Sequence, residues 1–184
     1  LGSVGGPSSN TSRIATLEIV DSYGATFADT VRTSTSVVVS TSRRDRDIVF
    51  NGAIVAPLLD APADPRHTNG VSYPPGFEFD DEYNLFIYGT GTQIGTATLS
   101  NKGELRLGDD AADTLIFEDG IFAVGQSAIY LQAIPRTYGA PVELGDEDTI
   151  VYINSGTTVI ETTWGPDGSG TPTAGVNPTG ADIV

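Results

Sequence analysis

Thr98-Leu-Ser-Asn-Lys-Gly-Glu-Leu-Arg-Leu107, followed closely by Thr114-Leu-Ile-Phe-Glu-Asp-Gly-Ile-Phe-Ala-Val124, is the part of the chain whose reading decides the fold. Both segments are short apolar runs broken by a turn signal. In the first, Asn101-Lys102-Gly103 puts glycine where a three-residue hairpin loop takes a left-handed residue. In the second, Asp119-Gly120 is the dipeptide favoured in a two-residue type I′ turn. A third run spans Ser127 to Ile134, and Pro135 is expected to end it by removing a backbone donor. Strands joined by connections this short are expected to pair with one another and to be antiparallel. The fold expected is therefore all-β: a single-domain antiparallel β-sandwich or barrel, in the form of a single jelly roll.

The flanking sequence fits the same expectation. Arg13 to Val20, Thr33 to Ser42, Asp47 to Leu59 and Phe77 to Tyr88 read as strands, with a break or bulge at Asn51-Gly52. Thr149 to Trp164 reads as a last hairpin around Asn154-Ser155-Gly156. Eight to ten strands at such intervals suit a sandwich. No internal repeat is visible, and no long stretch free of Gly and Pro has helical apolar spacing.

Three regions follow. Residues 1–12 form a flexible N-terminal arm, residues 13–164 the β-domain with a Pro-rich loop at 60–76, and residues 165–184 a Gly/Pro-rich tail. The 184 residues suffice for one core that buries roughly 70% of the unfolded surface. With no cysteine in the chain, disulfides and thiolate metal sites are excluded. The longest apolar run, Ala53 to Leu59, is too short to span a bilayer and contains Pro57. The first residues lack the basic and apolar parts of a signal peptide. Asn10-Thr11-Ser12 is a glycosylation sequon, meaningful only where the chain meets that machinery.

Charge is the most informative part of the composition. The chain carries 24 Asp plus Glu against 9 Lys plus Arg, a net of −15, and Lys102 is its only lysine. Such a surface suits concentrated salt, where a Debye length of about 3 Å at 1 M suppresses repulsion between carboxylates. At low salt the same charge works against the fold. It also argues against nucleic-acid binding, which needs a basic face.

Few residues offer chemistry. His67 is the only histidine, which rules out a multi-histidine metal site and leaves no plausible triad, since Gly-x-Ser-x-Gly is absent. Catalytic, cofactor-binding and metal residues are all expected to be none. The acidic clusters Asp80-Asp81-Glu82, Asp109-Asp110 with Asp113, and Asp146-Glu147-Asp148 carry oxygen ligands of the kind Ca²⁺ takes, but they match no EF-hand loop and read as solvated surface. Arg43-Arg44-Asp45-Arg46-Asp47 holds three of the nine cations. It reads as a solvated turn or as a contact to an acidic neighbour or lipid headgroups. Glycan binding would draw on Tyr73, Tyr83, Tyr88 and Trp164.

In its acidity, its size and its lack of cysteine, the chain resembles the small major capsid proteins of haloarchaeal icosahedral viruses with an internal membrane. No short motif carries the likeness. The resemblance implies an upright single jelly roll that self-assembles into the capsid shell of a virion. Its partners would be copies of itself, a second related capsid protein, minor capsid or membrane proteins and lipid headgroups, with no direct contact to nucleic acid. The alternatives are a haloarchaeal pilus or surface-layer subunit, or an extracellular carbohydrate-binding or glycoside-cleaving β-sandwich.

Overall fold

A computed structural model describes residues 13–40, 42, 44–68, 72, 74, 79–153 and 160–162. The protein is all-β, but it is neither a sandwich of antiparallel strands nor a jelly roll. Every strand pairing in it is parallel. The chain winds as a β-solenoid of six coils.

Coil one holds β1 (Ile14–Ile19) and β2 (Ala25–Phe27), and coil two holds β3 (Val31–Val39) and β4 (Asp47–Phe50). Coil three holds β5 (Ile54–Ala61) and β6 (Asn84–Ile87), separated by an excursion that includes a 3₁₀ turn at Pro65–Thr68. Coil four holds β7 (Thr92–Leu99) and β8 (Glu104–Leu107). In coil five the first side is split into β9 (Thr114–Phe117) and β10 (Ile121–Ala123), followed by β11 (Ala128–Leu131). Coil six repeats that plan with β12 (Ile134–Arg136), β13 (Val142–Leu144) and β14 (Ile150–Ile153).

One sheet runs β1-β3-β5-β7-β10-β13, with β9 and β12 stacked beside the first half of β7. The other runs β2-β4-β6-β8-β11-β14. Along the second sheet Ala25 pairs with Ile48, then Leu85, Leu105, Ile129 and Val151, in steps of 23, 37, 20, 24 and 22 residues. Those steps supply the long return that parallel pairing needs. Unequal coils, one insertion, and columns that share apolar character but not identity explain why no repeat is visible in the sequence.

The turn signals are real, but they mark corners. Asn101-Lys102-Gly103 carries the chain from one sheet to the other, so β7 and β8 never pair. Buried Asn101 donates from Nδ2 to the Tyr83 carbonyl at 3.1 Å. Gly103 is not left-handed; it is glycine because a Cβ there would fall against the Tyr83 carbonyl. Asp119-Gly120 does bring glycine to positive φ (109°), but it bends one face of the coil, and β9 and β10 each pair with a different half of β7. Pro135 does not end a strand; it is the buried centre of β12. Its carbonyl accepts from the Glu161 amide at 3.0 Å, so its missing N–H lies on that same outer side, where an edge strand tolerates proline.

The interior is a set of apolar columns. Phe27, Phe50, Ile87, Leu107 and Leu131 stack in register on the second sheet, with Phe27 and Phe50 rings parallel at 4.8 Å. Opposite them run Val37, Leu59, Ala97, Ile121 and Val142. All of these are buried. Strict alternation inside each short strand delivers them, as in β6, β8, β9 and β11, where every second residue points inward. Among the described residues no helix is long and apolar enough to cross a membrane.

Candidate functional site: the terminal coils and an arginine–aromatic ladder

The outer face of the second sheet carries the column Thr26, Val49, Phe86, Arg106, Tyr130, Tyr152. The Arg106 guanidinium lies between two rings, 5.0 Å from the centre of Phe86 and 4.7 Å from that of Tyr130. Tyr130 and Tyr152 stack at 4.8 Å with their planes 12° apart. Glu104 holds Arg106 through Oε2 at 2.8 Å and raises its pKa further. Tyr130 is thus stacked between Arg106 and Tyr152, and Tyr152, in the last described coil, is 44% exposed. The ladder ties coils three to six together on their outer face.

The acidic clusters prove to be local fasteners. Asp64, which the sequence reading passed over, is buried and grips Arg66 through both carboxylate oxygens. It also accepts the Arg66 amide (2.8 Å) and the Asp80 amide (3.0 Å). The side-chain bond from Arg66 is the main reason the Asp64 carboxyl is held well below the usual carboxylate range. Asp80 accepts from the same Arg66 Nη2 at 2.6 Å, Asp81 accepts the Asp64 amide at 2.7 Å, and Glu82 faces Arg44 at 3.6 Å. This clamp pins the excursion between β5 and β6.

The other two clusters close turns. Asp113 accepts the amides of Asp109 and Asp110, both at 3.1 Å, and burial followed by Asp113 pushes the Asp109 carboxyl up. Asp146 accepts from Thr149 Oγ1 at 2.7 Å, which lowers its pKa. Among the described residues no three His, Asp or Glu side chains converge as metal ligands would.

The remaining sequence candidates are scattered. Arg44 pairs with Asp45 and Glu82 on a turn beside β4, and Arg43 lies outside the described residues. His67 belongs to the turn Pro65–Thr68. Tyr83 is buried, with its hydroxyl donating to the Val39 carbonyl at 3.0 Å. Tyr88 is half-buried beside Phe86, 5.8 Å between ring centres. Tyr73, Trp164 and the sequon at Asn10 lie outside the described residues, as do the turn at 154–156 and the arms 1–12 and 165–184. An open groove of about 300 Å³ crosses the first sheet past Arg13, Pro57, Gln93, Gly95, Glu118 and Asp119.

The feature that sequence reasoning missed is the contrast between middle and end coils. Among the described residues the exposed large apolar side chains are Val20, Tyr23, Ile150, Tyr152 and Ile153, all in coils one and six. The half-buried apolar residues packed on the core are Leu17 and Ala25 at one end, and Leu144, Val151 and Ile160 at the other. A signal did exist: β14 is Ile150-Val-Tyr-Ile153, apolar at all four positions, whereas β6 and β8 carry Asn84, Glu104 and Arg106 on outward positions.

The described residues form a parallel β-solenoid whose exposed large apolar side chains lie in its first and last coils. The chain matches no family model, no curated protein and no solved structure.

Proposed function

We propose that the protein is a non-enzymatic structural subunit, a short β-solenoid rod that joins other protein through its two end coils in concentrated salt. The observation that carries this reading is the confinement of exposed large apolar side chains to the first and last coils. Solenoid repeats bury their faces only against neighbours, and terminal repeats that act as caps are polar on the outside. These ends are not polar, and an uncovered strand edge is a ready site for pairing with another chain. A filament, surface layer or virion surface of a halophile supplies such partners, and the net charge of −15 suits that solvent. The upright jelly roll that the capsid resemblance implied is replaced by a rod, so a part in a virion would rest on axial contacts and not on jelly-roll capsomers.

The test is to locate the chain by mass spectrometry in native particles or filaments kept at molar salt, and to image them by electron microscopy. Density for a rod held at both ends supports the reading. Recovery of the chain only as a free monomer would overturn it.

A further inference from the structure

We infer that the end coils fit each other: a second copy docks head to tail, placing its β1 and β2 on the β13 and β14 edges of the first. This deepens the structural reading above and rests on it. Among the described residues β13 pairs only with β10, β14 only with β11, β1 only with β3 and β2 only with β4, so each has one described neighbour.

The register of the dock is dictated by the columns already present. Leu17 heads the column that ends at Val142, Ala25 the one that ends at Val151, and Phe27 the one that ends at Ile153. Continuing the spacing by one coil sets Val142 against Leu17 of the next copy, Val151 against Ala25 and Ile153 against Phe27. Leu17, Ala25 and Val151 are half-buried and Ile153 is exposed, so the dock would cover these four, whereas Phe27 and Val142 are already buried in the single copy.

The chain's own C-terminal portion covers a different edge. Residues 160–162 turn back over β12: Glu161 donates its amide to the Pro135 carbonyl at 3.0 Å, Thr137 donates to the Glu161 carbonyl at 2.8 Å, and Arg136 meets the Glu161 carboxylate at 2.7 Å. Among the described residues nothing pairs with the outer edges of β13 and β14. Residues 165–184 contain Pro166, Pro172, Pro178 and five glycines, without the alternating apolar residues of a coil. Residues 160–162 thus supply the first side of a seventh coil, and the arriving copy would supply the next two sides. The part of β1 whose columns reach β13 is Leu17–Ile19, beyond the register shift between Ile14 and Thr16.

One directly opposed pair in this dock is repulsive. Glu18 heads the column that ends at Glu143, so docking sets two carboxylates face to face. Molar salt removes most of that repulsion. Association should then switch on with salt, and Glu143→Gln should lower the salt it needs.

The test is sedimentation velocity on the full chain at 0.1, 1 and 3 M NaCl, with Ile153→Asp as a tail block and Ala25→Asp as a head block. Leu17→Glu serves as a second head block should Ala25→Asp fail to fold. Ile153 is 63% exposed, so its variant should keep the fold. The expected result is salt-promoted oligomers for the native chain, association at least about tenfold weaker in each variant alone, and one-to-one dimers when the two are mixed. A contact between two like ends is closed and isologous, whereas this one is heterologous. Dimers of the head-blocked variant alone would therefore overturn the inference while leaving the structural reading in place. A native chain that stays monomeric at 3 M would overturn it too. Cross-linking from position 152 in native assemblies then decides the broader reading: a bound heterologous protein keeps it, and an unmodified rod ends it.

Discussion

Arg106 and Tyr130 sit one coil apart with the guanidinium carbon 4.7 Å from the ring centre. The contact joins coils four and five on the outer face, where no apolar core can. A planar cation between two rings gains about 0.5–2 kcal/mol, depending on how well it is shielded from water. Arg106→Ala is expected to lower unfolding free energy by about 1–2 kcal/mol. Arg106→Lys should recover less than half of that, because an ammonium cannot stack. Urea titrations at low and molar salt check this. Loss of the whole effect in salt would instead assign it to the Glu104 pair.

Two neighbouring glycines separate two kinds of constraint. A Cβ at Gly89 would fall against the backbone of Gly52 in the coil below, whereas one at Gly91 would meet open space at φ 78°. Gly91→Ala is expected to cost about 1–2 kcal/mol from backbone strain alone. Gly89→Ala should cost more than that, because the corners of two coils must separate. Thermal melts of the pair decide the order.

Asp64 and Asp109 should respond to acid in opposite senses. The folded pKa of Asp64 is depressed, so its contribution is present above the unfolded value near 4 and is lost as pH falls further. The folded pKa of Asp109 is raised, so folding favours its protonated form and it weakens the fold as pH rises through that value. Asp64→Asn is expected to destabilise at pH 7 and to flatten the acid limb below pH 4. Asp109→Asn should stabilise at pH 7, most clearly at low salt. Melting temperatures from pH 3 to 7 for each variant test both signs.

Burial should rank truncations by coil. Leu105→Ala removes a fully buried side chain from the middle of the rod and is expected to cost about 2–5 kcal/mol. Ile153→Ala, at an open end, should stay within about 0.5 kcal/mol in the monomer. Hydrogen exchange at low salt should protect β7 and β8 most and β2 and β14 least, as neighbour-only contacts predict.

The all-β character was legible in the chain, and the parallel pairing was not. The alternation in Glu104–Leu107 and Thr114–Phe117 announces strands with one buried face, and both lie within one residue of where the turns at Asn101-Lys102-Gly103 and Asp119-Gly120 would put them. What alternation does not encode is the partner. Leu105 is inward whether it pairs with a strand five residues away or with Leu85 and Ile129, each a coil away. Short connections suggest hairpins because consecutive strands usually adjoin, and here consecutive strands lie on different faces. The site was less visible. Arg106 and Tyr130 are 24 positions apart, and only the coil length makes them neighbours. The apolar run in β14 was readable as a strand, but its exposure depends on being last.

The insertion-tolerant, neighbour-only build gives the rod a gauge. Strands in register lie about 4.8 Å apart, so six coils reach about 24 Å from first to last. Adding or deleting one coil of some twenty residues would alter that reach by a single 4.8 Å notch and leave both ends unchanged. The length of the rod is therefore set in discrete increments by the number of coils.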